Sequence, residues 1–277
     1  MPTLVTITDI DDPRLEGYRD LRDPDRTARS GTFVAESRLV LEQLIVSGRY
    51  PVLSVLMTPA RLEATRASLE RLPADTPVYV IDAAQMAAVA GFRIHRGCLA
   101  LGSHGAVHDA EAVLAPRPST LLVLESVTDP DNVGSLFRSG RALGVDALLL
   151  GRRCADPLYR KAIRTSMGAV FHLPWGRYDD VGAVARRLRE AGVTIAALTP
   201  AQTAVPVAGF VGALLQDAPV ALMVGNEGVG LSANALAASD VHVRVPMRPG
   251  TDSLNAHVSA AIALSHLGRA RQASSEP

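Results

Sequence analysis

Apolar and polar positions along this chain follow two periods by turns, one helical and one strand-like. Arg38–Ser47 (RLVLEQLIVS) carries its apolar residues at helical spacing, and the β-branched run Val52–Met57 reads as a strand. The pattern then predicts a helix over Ala60–Leu72, a strand over Val78–Ile81 and a helix over Ala83–Val89. Residues 1–105 are therefore expected to form a small α/β domain. From Gly102 to Ser119 the chain holds Gly, His, Pro and Ser with no period and ends in APRPS, which places a linker at 106–118.

Beyond it, strands are predicted at Thr120–Leu124, Ala147–Leu150, Thr194–Leu198, Val220–Val224 and Val241–Val245. Helices are predicted between them, including Val133–Leu143, Val181–Ala191 and Leu254–Leu267. Strands alternating with helices specify a parallel sheet covered on both faces, so residues 119–277 read as a second α/β domain.

Composition narrows the class. Hydrophobic residues make up 48% of the 277 and aromatic ones only 4%, so the core must be built from Val, Leu, Ile and Ala. No apolar run reaches the roughly 18 residues of a membrane helix. The N-terminus, MPTLVTITDIDDPRL, has acidic residues where a secretory signal needs a basic start, which points to a cytoplasmic protein. Cys98 and Cys154 form no CxxC and have no His at metal spacing, so reduced, buried thiols are expected rather than a disulfide or a metal site.

With 28 basic and 28 acidic residues the net charge is zero, which argues against indiscriminate coating of nucleic acid. Charge is uneven locally. Between Gly134 and Arg164 stand Arg138, Arg141, Arg152, Arg153, Arg160, Lys161 and Arg164 against only Asp146 and Asp156. A phosphate-binding stripe and a solvated helix face are both open readings.

Three blocks carry candidate chemistry: Leu124–Arg138 (LESVTDPDNVGSLFR), Val224–Ser232 (VGNEGVGLS) and Val245–Asn255 (VPMRPGTDSLN). Each sets glycines or polar residues after an apolar strand, where a backbone can wrap a ligand at the end of a sheet. Gly225, Gly228 and Gly230 have the wrong spacing and the wrong place for a GxGxxG dinucleotide fingerprint, which belongs after a domain's first strand. Asn132 and Arg138 flank a predicted helix start that Asp129 or Asp131 is placed to cap. Ser253 is placed to cap the last predicted helix, and Asn255 offers a ligand both a donor and an acceptor.

Together the blocks resemble the three motifs of the SpoU/TrmH branch of the SPOUT RNA methyltransferases, in order, in spacing and in the register of Asn132, Arg138, Gly225, Glu227, Ser253 and Asn255. The resemblance covers 119–277. It implies a mostly parallel sheet with helices on both faces, its C-terminal segment threaded through a loop as a deep trefoil knot. It also implies S-adenosylmethionine as cofactor, held without metal by the chain around Thr199, Gly225, Val245, Met247 and Leu254. Arg138 matches the arginine assigned to activating a ribose 2′-hydroxyl, Asn132 and Glu227 match polar residues shaping the site, and Ser253 and Asn255 match the SLN residues. Such enzymes generally act as homodimers.

The activity implied is methyl transfer to a ribose 2′-hydroxyl of RNA, ribosomal RNA ahead of transfer RNA. The rival is a non-catalytic RNA-binding protein that kept the fold; retention of all five polar residues favours the enzyme. GTFVAESRLVLEQLIVSG and the HRGCLALG segment at His95–Gly102 resemble the ribosomal-protein-like RNA-binding domain found before many SpoU-type enzymes. Two departures stand out. Arg96 replaces a frequent Gln, and Ala256-His257 replaces the more usual Val-Ser after SLN.

Overall fold

The structure, a computed structural model, describes residues 2–94, 96–105, 108–214 and 218–275. His95, and Ala106 and Val107 of the expected linker, lie outside the described residues. The chain runs β1 (Thr3–Thr6), α1 (Arg26–Ser30), β2 (Thr32–Glu36), α2 (Arg38–Ser47), β3 (Val52–Met57), α3 (Pro59–Leu69), β4 (Pro77–Val80), α4 (Ala83–Ala90) and β5 (Cys98–Ser103). There follow β6 (His108–Asp109), α5 (Ala110–Leu114), β7 (Thr120–Leu124), α6 (Pro130–Ala142), β8 (Ala147–Gly151), α7 (Arg160–Thr165), β9 (Trp175–Tyr178) and α8 (Val181–Glu190). The last elements are β10 (Thr194–Leu198), β11 (Val205–Pro206), α9 (Val207–Ala213), β12 (Val220–Val224), α10 (Ala233–Ala237), β13 (Val241–Arg244) and α11 (Ala256–Ser275).

The chain divides into two compact units, Met1–Ala106 with Asp156–His172, and Val107–Ala155 with Leu173–Pro277. The first is built on a mixed sheet ordered β1-β4-β3-β5-β2, in which β5 runs antiparallel to both neighbours. Its helices are fixed by local chemistry: the Ser37 hydroxyl accepts from the Val40 N–H to open α2, and the Asp82 carboxylate accepts from Ala84 and Gln85 to open α4. Leu56, Tyr79, Leu99, Met86 and Tyr18 form its core. The 156–172 segment is part of this unit. Phe171 stacks on Phe33 with centroids 5.5 Å apart, and Arg160 pairs with Glu36 at 2.6 Å while lying 4.4 Å over the Phe92 ring.

The second unit has eight strands ordered β11-β13-β10-β12-β7-β8-β9-β6, all paired in parallel. Strands β7, β8 and β12 are buried along their whole length, which is why their sequences are continuous apolar runs and do not alternate. On one face Leu121, Val123, Leu149, Ile195 and Met223 pack with Val184 and Leu188 of α8. The other face lies under α6, where Gly140 comes close to Leu122, and α11 packs on α6. Because β7, β10, β12 and β13 run in one direction, the segments that follow all four leave the same edge of the sheet.

Several expectations need correction. The span 106–118 holds β6 and α5, the latter capped by Asp109, so it is not a bare linker. Residues Asp156–His172 belong with the N-terminal unit, so the predicted domain 119–277 is interrupted there. The last helix begins at Ala256, two residues later than the pattern implied, and Asn255, not Ser253, caps it: its Oδ1 accepts from the His257 N–H at 2.9 Å. Among the described residues no helix is long and apolar enough to cross a membrane.

Candidate functional site

The site is assembled at the edge where β7, β10, β12 and β13 end. After β7, Glu125 continues the ladder by donating its N–H to the Val224 carbonyl at 2.8 Å. Its carboxylate then accepts from the Ser232 N–H at 2.8 Å and hydroxyl at 2.7 Å, which ties the first block to the end of the second. The Ser232 hydroxyl also opens α10 by accepting from Ala235.

Between Val224 and Ser232 the chain makes a tight turn organised by Asn226. Its main chain exchanges two hydrogen bonds with Gly230, at 3.1 and 2.9 Å. Its Oδ1 accepts from the N–H groups of Gly228 and Val229, and its Nδ2 donates to the Ser126 carbonyl at 2.9 Å. Gly230 has φ +72°, and a Cβ on Gly225 would stand 2.3 Å from the Gly230 carbonyl carbon and 2.4 Å from the Leu231 nitrogen. Only glycine fits position 225, because the obstructing atoms are main chain and cannot swing aside. Val229 at the tip is 87% exposed.

Asn132 sits in the first turn of α6, which Pro130 and the capping carboxylate of Asp129 begin. It is only 6% exposed and every polar group of its side chain is engaged. Its Nδ2 donates to Glu227 Oε1 at 2.7 Å; its Oδ1 accepts from Asn255 Nδ2 at 3.0 Å and faces His257 Nδ1 at 3.2 Å. One buried amide thus joins all three blocks. The second and third blocks also line a pocket of about 340 Å³. Thr199, Gly225, Val245, Met247 and Leu254 all lie on its wall, as do Glu227 and Ser253.

Arg138 is the exception among the residues singled out from the sequence. Six positions along α6 it is turned roughly 240° from Asn132, it is exposed, and it makes no hydrogen bond or ion pair among the described residues. The geometry of this chain brings Asn132, Glu227 and Asn255 together and leaves Arg138 outside their network.

The SpoU rRNA Methylase family model matches residues 119–265, a span that contains every residue of this site. The chain belongs to that family. It is an RNA methyltransferase of SpoU/TrmH type, and curated relatives agree. The uncharacterized tRNA/rRNA methyltransferase Rv0881 of Mycobacterium tuberculosis is 40% identical over 93% of this chain and 89% of its own length. The 23S rRNA (guanosine(2553)-2′-O)-methyltransferase RlmP of Bacillus subtilis is 35% identical over 58% of this chain and 62% of its own. Among solved structures, the AdoMet-bound rRNA methyltransferase of Sinorhizobium meliloti shares the fold with a TM-score of 0.81 at 21% identity, covering 96% of this chain and 98% of that one. AviRb of Streptomyces viridochromogenes, in complex with AdoMet, gives 0.79 at 24% identity over 95% and 100%.

The basic stretch of this SpoU methylase is in part neutralised within its own units. Arg152 pairs with Asp179, and Arg160 with Glu36 in a contact whose side chains are only 13% and 12% exposed. Both thiols are buried, and burial pushes Cys98 up to about 12 and raises Cys154. Sequence reasoning missed Asn226, Glu125 and His257. The first two were signalled by an Asn before a Gly-rich turn and by a carboxylate directly after a buried strand. His257 was visible only as a departure from the usual residue.

Proposed function

We propose that this protein transfers a methyl group from S-adenosylmethionine to a ribose 2′-hydroxyl of RNA, with ribosomal RNA preferred to transfer RNA. The observation that carries the reading is the joining of three separated blocks by Asn132 beside a pocket walled by Thr199, Gly225, Val245, Met247 and Leu254. At about 340 Å³ that pocket is within the size range of small-molecule sites. Leu198, Leu236 and Val243 give it apolar walls suited to a purine, and the main chain of the three turns supplies donors and acceptors for the polar parts of the ligand. RlmP, related over more than half of this chain, is by its name a 2′-O-methyltransferase of 23S rRNA, which supports the ribose oxygen and the ribosomal substrate.

When bound, a sulfonium donor supplies a methyl group that is already activated. What remains for the protein is in-line positioning and disposal of the hydroxyl proton. Glu227 lines the pocket and is held by Asn132, and Asn255 locks the start of α11 against that pair. A guanidinium stays charged in proteins, so Arg138 acts by stabilising the developing alkoxide and not as a base. The reading includes a homodimer whose interface completes the site, since Arg138 stands apart from the Asn132 network of its own chain. It also includes a cytoplasmic location, RNA recognition by the N-terminal unit, and the knotted threading of the family after Val245.

The test is a map of 2′-O-methyl groups in ribosomal and transfer RNA from cells with and without the gene. At least one ribosomal position is expected to lose its methyl group when the gene is absent. Identical ribose maps would contradict the reading.

A further inference from the structure

His257 stands where the hydrogen-bond logic of the site leaves one basic nitrogen free. The Asn132 amide is oriented by Glu227: a carboxylate only accepts, so the group 2.7 Å from Oε1 must be the Asn132 NH2. Its carbonyl oxygen therefore faces the third block. There it accepts from the Asn255 NH2, itself oriented because Asn255 Oδ1 accepts from the His257 main-chain N–H. The remaining neighbour of that oxygen is His257 Nδ1 at 3.2 Å. Two lone pairs facing each other would repel, so Nδ1 carries the hydrogen and the neutral ring keeps its lone pair on Nε2. The ring is half-buried, and Nε2 has no partner among the described residues and is not sealed from solvent. The residue before it, Ala256, lines the pocket.

We propose that His257, held in its Nδ1–H form by Asn132, is the proton acceptor for the ribose 2′-hydroxyl. This rests on the reading of the reaction given above. As the 2′-oxygen bonds to the methyl carbon, the electrons of the old carbon–sulfur bond stay with sulfur and the hydroxyl proton passes to Nε2. The imidazolium then returns that proton to solvent. The carboxylate of Glu227, acting through Asn132, favours the cation that forms. Other charges on the elements packed against α11 are Asp131, Arg138 and Arg141 of α6; α9 and β12 have none, and among the described side chains α11 itself adds His266 and Arg269.

The deciding experiment compares His257→Asn with His257→Ala in single-turnover transfer of labelled methyl to RNA across pH, beside cofactor titrations. Asn retains an N–H able to reach the Asn132 oxygen but has no basic nitrogen. Both variants are expected to bind cofactor normally and to turn over roughly 100-fold more slowly, and the unaltered enzyme is expected to slow toward acid pH in a way that both variants lose. An Asn variant with the unaltered rate and pH profile would reduce His257 to positioning and overturn the proposal. Nitrogen-15 spectra of the unaltered protein supply a readout independent of turnover: the Nδ1–H tautomer is expected, and Nε2–H would overturn it. Label found on a base would instead refute the reaction assigned above, so the two failures are distinguishable.

Discussion

Asn255 Nδ2 donates to Asn132 Oδ1 at 3.0 Å across 123 positions of sequence, and this bond closes the site. It fixes the start of α11 against the start of α6. Replacing Asn132 by Ala leaves Glu227, Asn255 and His257 without their shared partner. Glu227 and Asn255 are exposed and His257 is half-buried, so water takes the place of the lost amide and stability is expected to fall by about 0.5–1.5 kcal/mol, the net worth of a hydrogen bond. Asn132→Asp, which sets a second carboxylate against Glu227, is expected to cost more than Ala at neutral pH. Urea titrations of the two variants check the order.

Gly225→Ala adds a Cβ that meets main chain at 2.3 and 2.4 Å, so the turn must move. Displacements of that kind cost about 1–3 kcal/mol, enough to weaken cofactor binding by roughly ten- to a hundredfold. Calorimetry should show this loss while circular dichroism shows the secondary structure kept. Gly228→Ala, where a Cβ meets only the Asn226 side-chain oxygen at 3.5 Å, is the control and is expected to bind nearly as the unaltered protein does.

Arg138→Ala removes no hydrogen bond or ion pair among the described residues. Its unfolding free energy is expected to stay within about 0.5 kcal/mol, with cofactor affinity unchanged and methyl transfer slowed on the order of 100- to 1000-fold. Arg138→Lys is expected to recover little, because an ammonium lacks the planar fork. Normal turnover in the Ala variant would return Arg138 to an ordinary surface residue.

The central strands of the C-terminal half were legible because they are apolar runs within a sheet covered on both faces: Thr120–Leu124, Thr194–Leu198 and Val220–Val224 match their sequence patterns end to end. Their parallel direction then brings the three blocks to one edge. Short strands were not legible. Trp175–Tyr178 (WGRY) holds a glycine and an arginine and shows no β-branched run. The membership of Asp156–His172 in the N-terminal unit was equally hidden, since it depends on Phe171 meeting Phe33 and Arg160 meeting Glu36, contacts that no local period encodes. Asn132 was singled out in the sequence, but its place as a junction depends on partners 95 and 123 positions away.

That segment changes what truncation does. Deleting residues 1–105 removes Phe33, Glu36 and Phe92, leaving Ile163, Val170 and Phe171, all fully buried in the intact chain, without cover. The truncated protein is expected to bind a hydrophobic dye and to aggregate, although a linker at 106–118 would have let the C-terminal part stand without residues 1–105. A monodisperse, dye-silent fragment in light scattering would contradict this.

Burial raises both thiols above their ordinary range, Cys98 to about 12. Each folded-state value lies above the unfolded one, so the contribution to stability is full below the unfolded thiol's range and is lost as pH rises toward the folded one. At neutral pH neither thiol is expected to react with an aromatic disulfide reagent until the protein unfolds, after which two equivalents should react. Rapid labelling of the folded protein would show that one of them is accessible.

The most direct measurement incubates the purified protein with S-adenosylmethionine labelled in the methyl group and RNA from cells lacking the gene, followed by digestion to nucleosides. The label is expected in a 2′-O-methylated nucleoside of ribosomal RNA. Label on a base, or no transfer by folded protein that binds the cofactor, would contradict the assignment of the site to ribose methylation.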